Sequence, residues 1–138
     1  MEQEKIISNF KDSIYATGRR KTSIAKVWLK KGSGKISVNG KDYVQYFKRA
    51  NHQMKLLRPL EIIDQSTNYD VKCNVKGGGL TGQVGAMVHG ISKALILFDS
   101  GFKSILKKEK LNTRDSRAVE RKKYVRRKSR RIFQFSKR

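Results

Sequence analysis

Apolar and polar side chains alternate strictly over Tyr69-Asp70-Val71-Lys72-Cys73-Asn74-Val75-Lys76. Tyr69, Val71, Cys73 and Val75 share one face of an extended chain, which predicts a half-buried strand. Gly77-Gly78-Gly79 follows, and the period changes. Leu80, Val84, Met87, Val88, Ile91, Leu95 and Phe98 recur every three or four residues, the pattern of a helix of about five turns opened near Thr81. Gly82, Gly85, Ala86 and Gly90 line its flank. A glycine costs about 1 kcal/mol in a helix interior, so this cluster predicts that another backbone comes close.

Upstream, Ser23 to Leu29 also alternates, with Ala25, Val27 and Leu29 on one side and Ile24, Lys26 and Trp28 on the other. Gly32-Ser33-Gly34 then reads as a turn, and Lys35 to Val38, closed by Asn39-Gly40, as the return strand of a hairpin. Trp28 is expected to pack at the sheet edge rather than serve as a stacking platform. Asp42 to Arg49 suits a short helix. His52 to Leu57 suits another helical turn that ends before Pro59, because the residue before a proline disfavours the helical region. Ser104 to Lys110 has the spacing of a last amphipathic helix. Residues 1–12 are polar and read as a mobile lead-in, and no internal repeat is visible.

The last 25 residues, Arg114 to Arg138, hold 12 Lys or Arg against Asp115 and Glu120, about 10 of the formal +22 charge of the 138-residue chain. Such a segment buries too little apolar surface to offset its ordering entropy. Alone in water it should lack regular structure, and it makes sense beside a dense polyanion, of which nucleic acid is the commonest. Arginine holds phosphate bidentately and stacks on bases. Phe133 and Phe135 interleave with cations, as in binders of single strands and loops. Length leaves room for one domain. A single cysteine, Cys73, excludes an internal disulfide. No apolar run is long enough to span a bilayer, so no membrane partner is expected. The N-terminal stretch has neither an apolar core nor the acid-poor composition of a targeting peptide, so the chain is expected to work where it is made or to have lost a presequence.

Catalytic and metal chemistry finds little purchase. His52, His89 and Cys73 do not have metal-site spacing, the carboxylates are scattered, and no nucleophile–base constellation is evident; neither cofactor nor metal is expected. Gly77-x-Gly79-x-x-Gly82, with Asp99 further on, does match a dinucleotide fingerprint. Against that stand the helical period where a second strand is required, the lack of a substrate domain and the charge. The same residues also read as a plain strand–helix turn, or as a turn whose amides, with Lys76 beside them, approach an RNA phosphate. Gly18-Arg19-Arg20-Lys21 is a second basic cluster, a candidate for phosphate contact.

Three blocks carry a resemblance. Thr17-Gly18-Arg19-Arg20-Lys21-Thr22 with Gly32-Ser33-Gly34-Lys35-Ile36 is the first. Gly77 to Gln83, Gly85-Ala86 and His89-Gly90-Ile91 make the second. Arg114-Asp115-x-Arg117, Val119 to Lys123 and the ending Gln134-Phe135-Ser136-Lys137-Arg138 make the third. Together they closely resemble the small-subunit ribosomal protein nine family of bacterial and organellar type, from about Ile14 to the end. The resemblance implies an α+β fold: a two-layer α/β sandwich like the second domain of ribosomal protein five, with a left-handed βαβ crossover and a long extended basic tail. It divides the chain into the lead-in 1–12, an rRNA-binding domain 13–110 and the tail 111–138.

It further implies a non-catalytic protein of the small-subunit head, bound to the 3′ major domain of small-subunit rRNA beside neighbouring ribosomal proteins. The rRNA-binding residues it implies are Arg19, Arg20, Lys21, Lys76, Gly78, Gly79 and Gln83, and along the tail Arg114, Arg117, Arg121, Lys122, Lys123, Arg126, Arg127, Lys128, Arg130 and Arg131. Ser136, Lys137 and Arg138 should reach the anticodon stem-loop of the P-site tRNA, and 25 extended residues can span up to about 80 Å. The chain departs from the family at Val88, usually basic, at Val125, usually glycine, and at Ser129, usually alanine. Its wording and its Lys, Ile and Asn bias imply a mitochondrial ribosome in the matrix, with a bacterial cytoplasm as the alternative. Two other function classes stay in view: a DNA-compacting or regulatory protein, and a small dinucleotide enzyme.

Overall fold

The computed structural model describes residues 10–137. The alternating stretch is β5, Tyr69–Lys76, the middle strand of a five-stranded sheet in the order β1-β2-β5-β3-β4. Its neighbours are β1 (Ile14–Arg20), β2 (Ser23–Lys31), β3 (Ile36–Val38) and the two-residue β4 (Lys41–Asp42). β1 pairs antiparallel with β2, from Ile14 opposite Leu29 to Arg20 opposite Ser23. β2 pairs antiparallel with β5, from Ile24 opposite Lys76 to Lys31 opposite Tyr69. β3 pairs parallel with β5.

The expected hairpin between Ser23–Leu29 and Lys35–Val38 does not form, because β5 lies between those two strands. Both edges of β5 are in demand, and its Asp70 ties the intervening turn to it: Asp70 Oδ1 accepts the amides of Ser33 and Lys35, each at 2.9 Å. The real hairpins are elsewhere. Arg20 opposite Ser23 leaves a two-residue turn of Lys21 and Thr22, with Lys21 at φ +52°. Asn39 and Gly40, at φ +50° and +80°, form the tight turn between β3 and β4, the left-handed geometry that an Asn-Gly pair favours.

Among the described residues four helices follow from the remaining pattern: α1 (Tyr43–Tyr46), α2 (Ala50–Ile62), α3 (Leu80–Phe98) and α4 (Phe102–Lys108). α2 runs through Pro59 instead of stopping short of it. The proline removes one intrahelical bond, but Leu56, Pro59 and Leu60 are all buried, and this packing holds the final turn. α3 matches the periodic stretch and lies on β1, β2 and β5. Its Val84, Met87, Ile91 and Leu95 meet Ala25, Val27, Leu29, Val71 and Cys73 in one core, where each large side chain removed from water contributes about 1.5–3 kcal/mol.

The small-residue flank of α3 has the predicted consequence. A Cβ on Gly18 of β1 would stand 1.9 Å from Ala86 O and 2.4 Å from Gly90 N. Strand and helix backbones touch, and only glycine fits between them.

Helices cover one face of the sheet, giving an α+β architecture of two layers. On the other face Trp28 is half-buried against Tyr15, ring centroids 5.3 Å apart. Since β2 is an interior strand, Trp28 does not lie at the sheet edge. The lead-in expected over residues 1–12 falls mostly outside the described residues. After Lys108 the described chain has turns and extended stretches but no helix or strand. No described helix is long and apolar enough to cross a membrane.

Candidate nucleic-acid interface

The β1–β2 turn and the glycine loop are seated back to back. Gly77 and Gly78 take φ +78° and +61°. A Cβ on Gly77 would come within 2.6 Å of Thr22 O, and one on Gly78 within 2.1 Å of Ser23 Oγ. Ser23 Oγ donates to Gly77 O at 3.0 Å, and Gln83 Nε2 donates to the same oxygen at 3.2 Å. Gln83 is itself buried, and its Oε1 accepts from the Tyr46 hydroxyl at 2.8 Å. Asn39 extends the network, accepting the Val75 amide at 2.8 Å and donating to Val75 O at 3.0 Å. The Gln83 amide therefore points inward and shapes the loop.

Gly79 is different. It is the N-cap of α3, has no side-chain cap bond, and a Cβ there would meet nothing within 4 Å. The first amides of α3 thus lack a side-chain partner at the positive end of a helix dipole. They open into a hollow lined by Lys21, Thr22, Gly78, Gly79, Thr81 and, from the tail, Val119.

Strand alternation splits the first basic cluster. Arg19 is exposed on the open face of β1. Arg20 turns to the helix side, lays its stem over Gly85 and places Nη1 2.5 Å from Asp115 Oδ2. Asp115 also accepts from Arg117, through its amide at 3.0 Å and its Nη2 at 2.8 Å. These bonds from Arg117, together with the nearby positive charge of Arg20, hold the Asp115 carboxyl far below the usual carboxylate range. The start of the tail is therefore fastened to the domain. Leu111 packs against the core, and His89 Nδ1 accepts the Arg19 amide at 3.4 Å while the ring shares a backbone hydrogen bond with Asn112. Burial, then the charge of Lys93, lowers the His89 pKa, with a smaller push from Arg114.

Beyond Val119 the tail folds on itself around Glu120. Its carboxylate pairs with Lys123 and, at 3.0 Å, with Arg130 Nε. Its carbonyl accepts from Ser129 Oγ at 2.8 Å. The Arg127 amide donates to Arg131 O at 2.9 Å, Arg126 Nη1 donates to Arg130 O at 3.1 Å, and the Arg127 guanidinium lies over the Phe133 ring at 5.2 Å. Val125, at the tip, has φ +56°, a strained conformation for a β-branched residue. Arg114, Arg121, Lys122, Lys128, Arg131 and Lys137 are exposed, as is Lys76 at the end of β5. Ser136 is exposed too, and Arg138 lies outside the described residues.

The β1–β2 turn, the glycine loop and the root of the tail thus meet at one end of the sheet, whereas the Gly32–Ile36 part of the first block lies at the other end, against Asp70. Asp115 was not among the candidates, although a lone acid between Arg114 and Arg117 opposite a basic strand end was a visible signal.

The dinucleotide reading fails on the same geometry. Leu95 to Phe98, where a second strand would be needed, is the last turn of α3, and Asp99 caps it. His52 packs edge-on against Phe47 and its Nε2 meets Thr81 Oγ1 at 3.3 Å, so it is structural. Among the described residues no three His, Cys, Asp or Glu side chains could hold a metal. A family model described as ribosomal protein S9/S16 matches residues 18–138.

Proposed function

The chain belongs to the ribosomal protein S9/S16 family, a component of the small ribosomal subunit, and from that premise we propose how it holds RNA. The hollow between the β1–β2 turn and the start of α3 takes an rRNA phosphate. Lys21 supplies charge, and the amides after Gly78 and Gly79 supply donors. The exposed cations of the tail neutralise successive phosphates of rRNA in the subunit head. Ser136, Lys137 and Arg138 reach the anticodon stem-loop of P-site tRNA. Lysine and arginine there hold phosphate without reading bases, so any tRNA is accepted.

The observation that carries this reading is the convergence of turn, glycine loop and tail root around an uncapped helix start. Arg20, Arg117, Lys123 and Arg130 have internal acidic partners and order the tail rather than act as bare charges. Gln83 serves the RNA by fixing the loop. We further place the protein in a mitochondrial ribosome, on its Lys, Ile and Asn bias, with the left-handed crossover of the family sandwich. Co-sedimentation with mitochondrial rather than bacterial small subunits tests the location.

The test of the RNA reading is reconstitution of small subunits with variants. Lys21→Ala should weaken incorporation and flatten its salt dependence by about 0.7–0.9 for the lost phosphate contact. Removal of residues 136–138 should leave incorporation intact and speed P-site tRNA release. Unchanged salt dependence would remove the hollow from the interface, and unchanged tRNA release would remove the tRNA contact.

A further inference from the structure

Among the described residues the helices leave the second face of the sheet uncovered, and its side chains are not those of an inert solvent surface. Tyr15, Trp28 and Lys72 stand opposite one another on β1, β2 and β5. Lys26 follows two residues before Trp28 on the same strand, and Lys76 stands opposite Ile24 at the far end. Neighbouring strands are about 4.8 Å apart and same-face residues along a strand about 6.7 Å apart, so two rings lie within reach of several ammonium groups. The rings meet at 46°, tilted rather than stacked face to face. A third ring, Phe10, lies under the Lys72 ammonium at 5.8 Å. Among the acids on this face, Asp70 has Oδ1 occupied by two backbone amides, and Asp42, opposite Ser37, stands out at the β4 edge, away from the ring pair.

We propose that this face is a second RNA site, separate from the hollow and the tail, which takes unstacked bases of a single-stranded or loop segment. The proposal rests on the RNA-binding reading above. Charge complementarity selects a polyanion. The aromatic pair set among the lysines selects one with planar groups to stack, the arrangement by which exposed sheets hold single strands. An acidic protein would satisfy the lysines but would gain little from rings presented in this way.

Trp28 is the only tryptophan in the chain, so its emission reports on this face directly. The full-length protein is titrated at 0.1 M salt with a uridine dodecamer, with filter retention measured in parallel, and separately with polyglutamate. The expected result is quenching of Trp28 by the RNA, with a midpoint weakened about 25-fold in Lys26→Gln/Lys72→Gln, about fivefold for each lost single-strand phosphate contact. Filter retention, to which the tail alone contributes about 10 of the +22 charges, should fall much less.

RNA retained with Trp28 emission unchanged, or quenching indifferent to the double variant, would overturn the proposal and leave the hollow and tail standing. Quenching by polyglutamate but not by RNA would overturn it in favour of a protein-docking face. RNA that is not retained at all would overturn both this proposal and the reading beneath it.

Discussion

Replacing Gly18 with alanine tests what fixes α3 on the sheet, and with it the platform on which the hollow is built. The new Cβ would stand 1.9 Å from Ala86 O, 2.4 Å from Gly90 N and 2.8 Å from Gly90 Cα. All three are backbone atoms of the longest helix, so no side chain can swing aside. Overpacking costs about 1–3 kcal/mol and occasionally more. With backbone as the obstacle, the cost belongs at the top of that range, about 3 kcal/mol, out of a total stability of about 5–15 kcal/mol. At about 4–8 °C per kcal/mol for a domain of this size, Tm should fall by about 12–24 °C. Gly79→Ala is the matched control: nothing lies within 4 Å and φ is −100°. Its cost is the poorer N-cap, about 1 kcal/mol at most. Thermal melts of the full-length chain followed by circular dichroism, in enough salt to screen its positive charge, read both. If Gly18→Ala melts within a few degrees of the parent, the close approach is not what holds helix to strand, and the argument fails.

Three further outcomes follow from the same structure. Val125→Gly should remove a strained left-handed backbone whose cost is on the order of 1–3 kcal/mol, less the ~0.5–1 kcal/mol of added glycine freedom; slower hydrogen exchange at the Arg127 amide reports it, and faster exchange would refute it. His89 is held below the ordinary histidine value by burial and then by Lys93. Between its folded value and about 6.5 the unfolded chain binds the proton that the folded chain excludes. Its contribution is therefore complete above that upper limit and is lost as pH falls through the folded value. Urea midpoints at pH 7.5 and 5.5 should differ less in His89→Asn, and an equal difference would refute the assignment. Cys73 is buried, and burial pushes its thiol well above the usual range, so a thiol reagent should react only as fast as the domain unfolds.

Elements whose pattern is local were legible in the sequence. β5 and α3 emerge with correct faces because alternation and the three-to-four spacing are written in consecutive residues. Even the contact of Gly18 with α3 was half visible, from the small residues at 82, 85, 86 and 90. Pairing was not legible. Ser23–Leu29 and Lys35–Val38 are separated by a short glycine turn and read as partners, yet β5 arrives from more than thirty residues downstream to part them, and nothing local announces that. Pro59 misled for a related reason: a proline's local preference yielded to the burial of Leu56 and Leu60. The basic clusters were visible as charge, but their division was not. That Arg20 turns inward to Asp115 while Arg19 faces out follows from β1 being a strand, and the sequence Tyr-Ala-Thr-Gly-Arg-Arg has too little apolar alternation to say so.

Crosslinking intact small subunits with ultraviolet light, followed by mass spectrometry of the peptide–nucleotide adducts of this protein, tests the central claim most directly. The account predicts adducts to rRNA at the β1–β2 turn, the glycine loop and the exposed stretches of the tail, with tRNA adducts at the final residues when the P site is filled. Adducts confined to the helical surface of α2 and α4, with the turn, the loop and the tail all free of them, would contradict it.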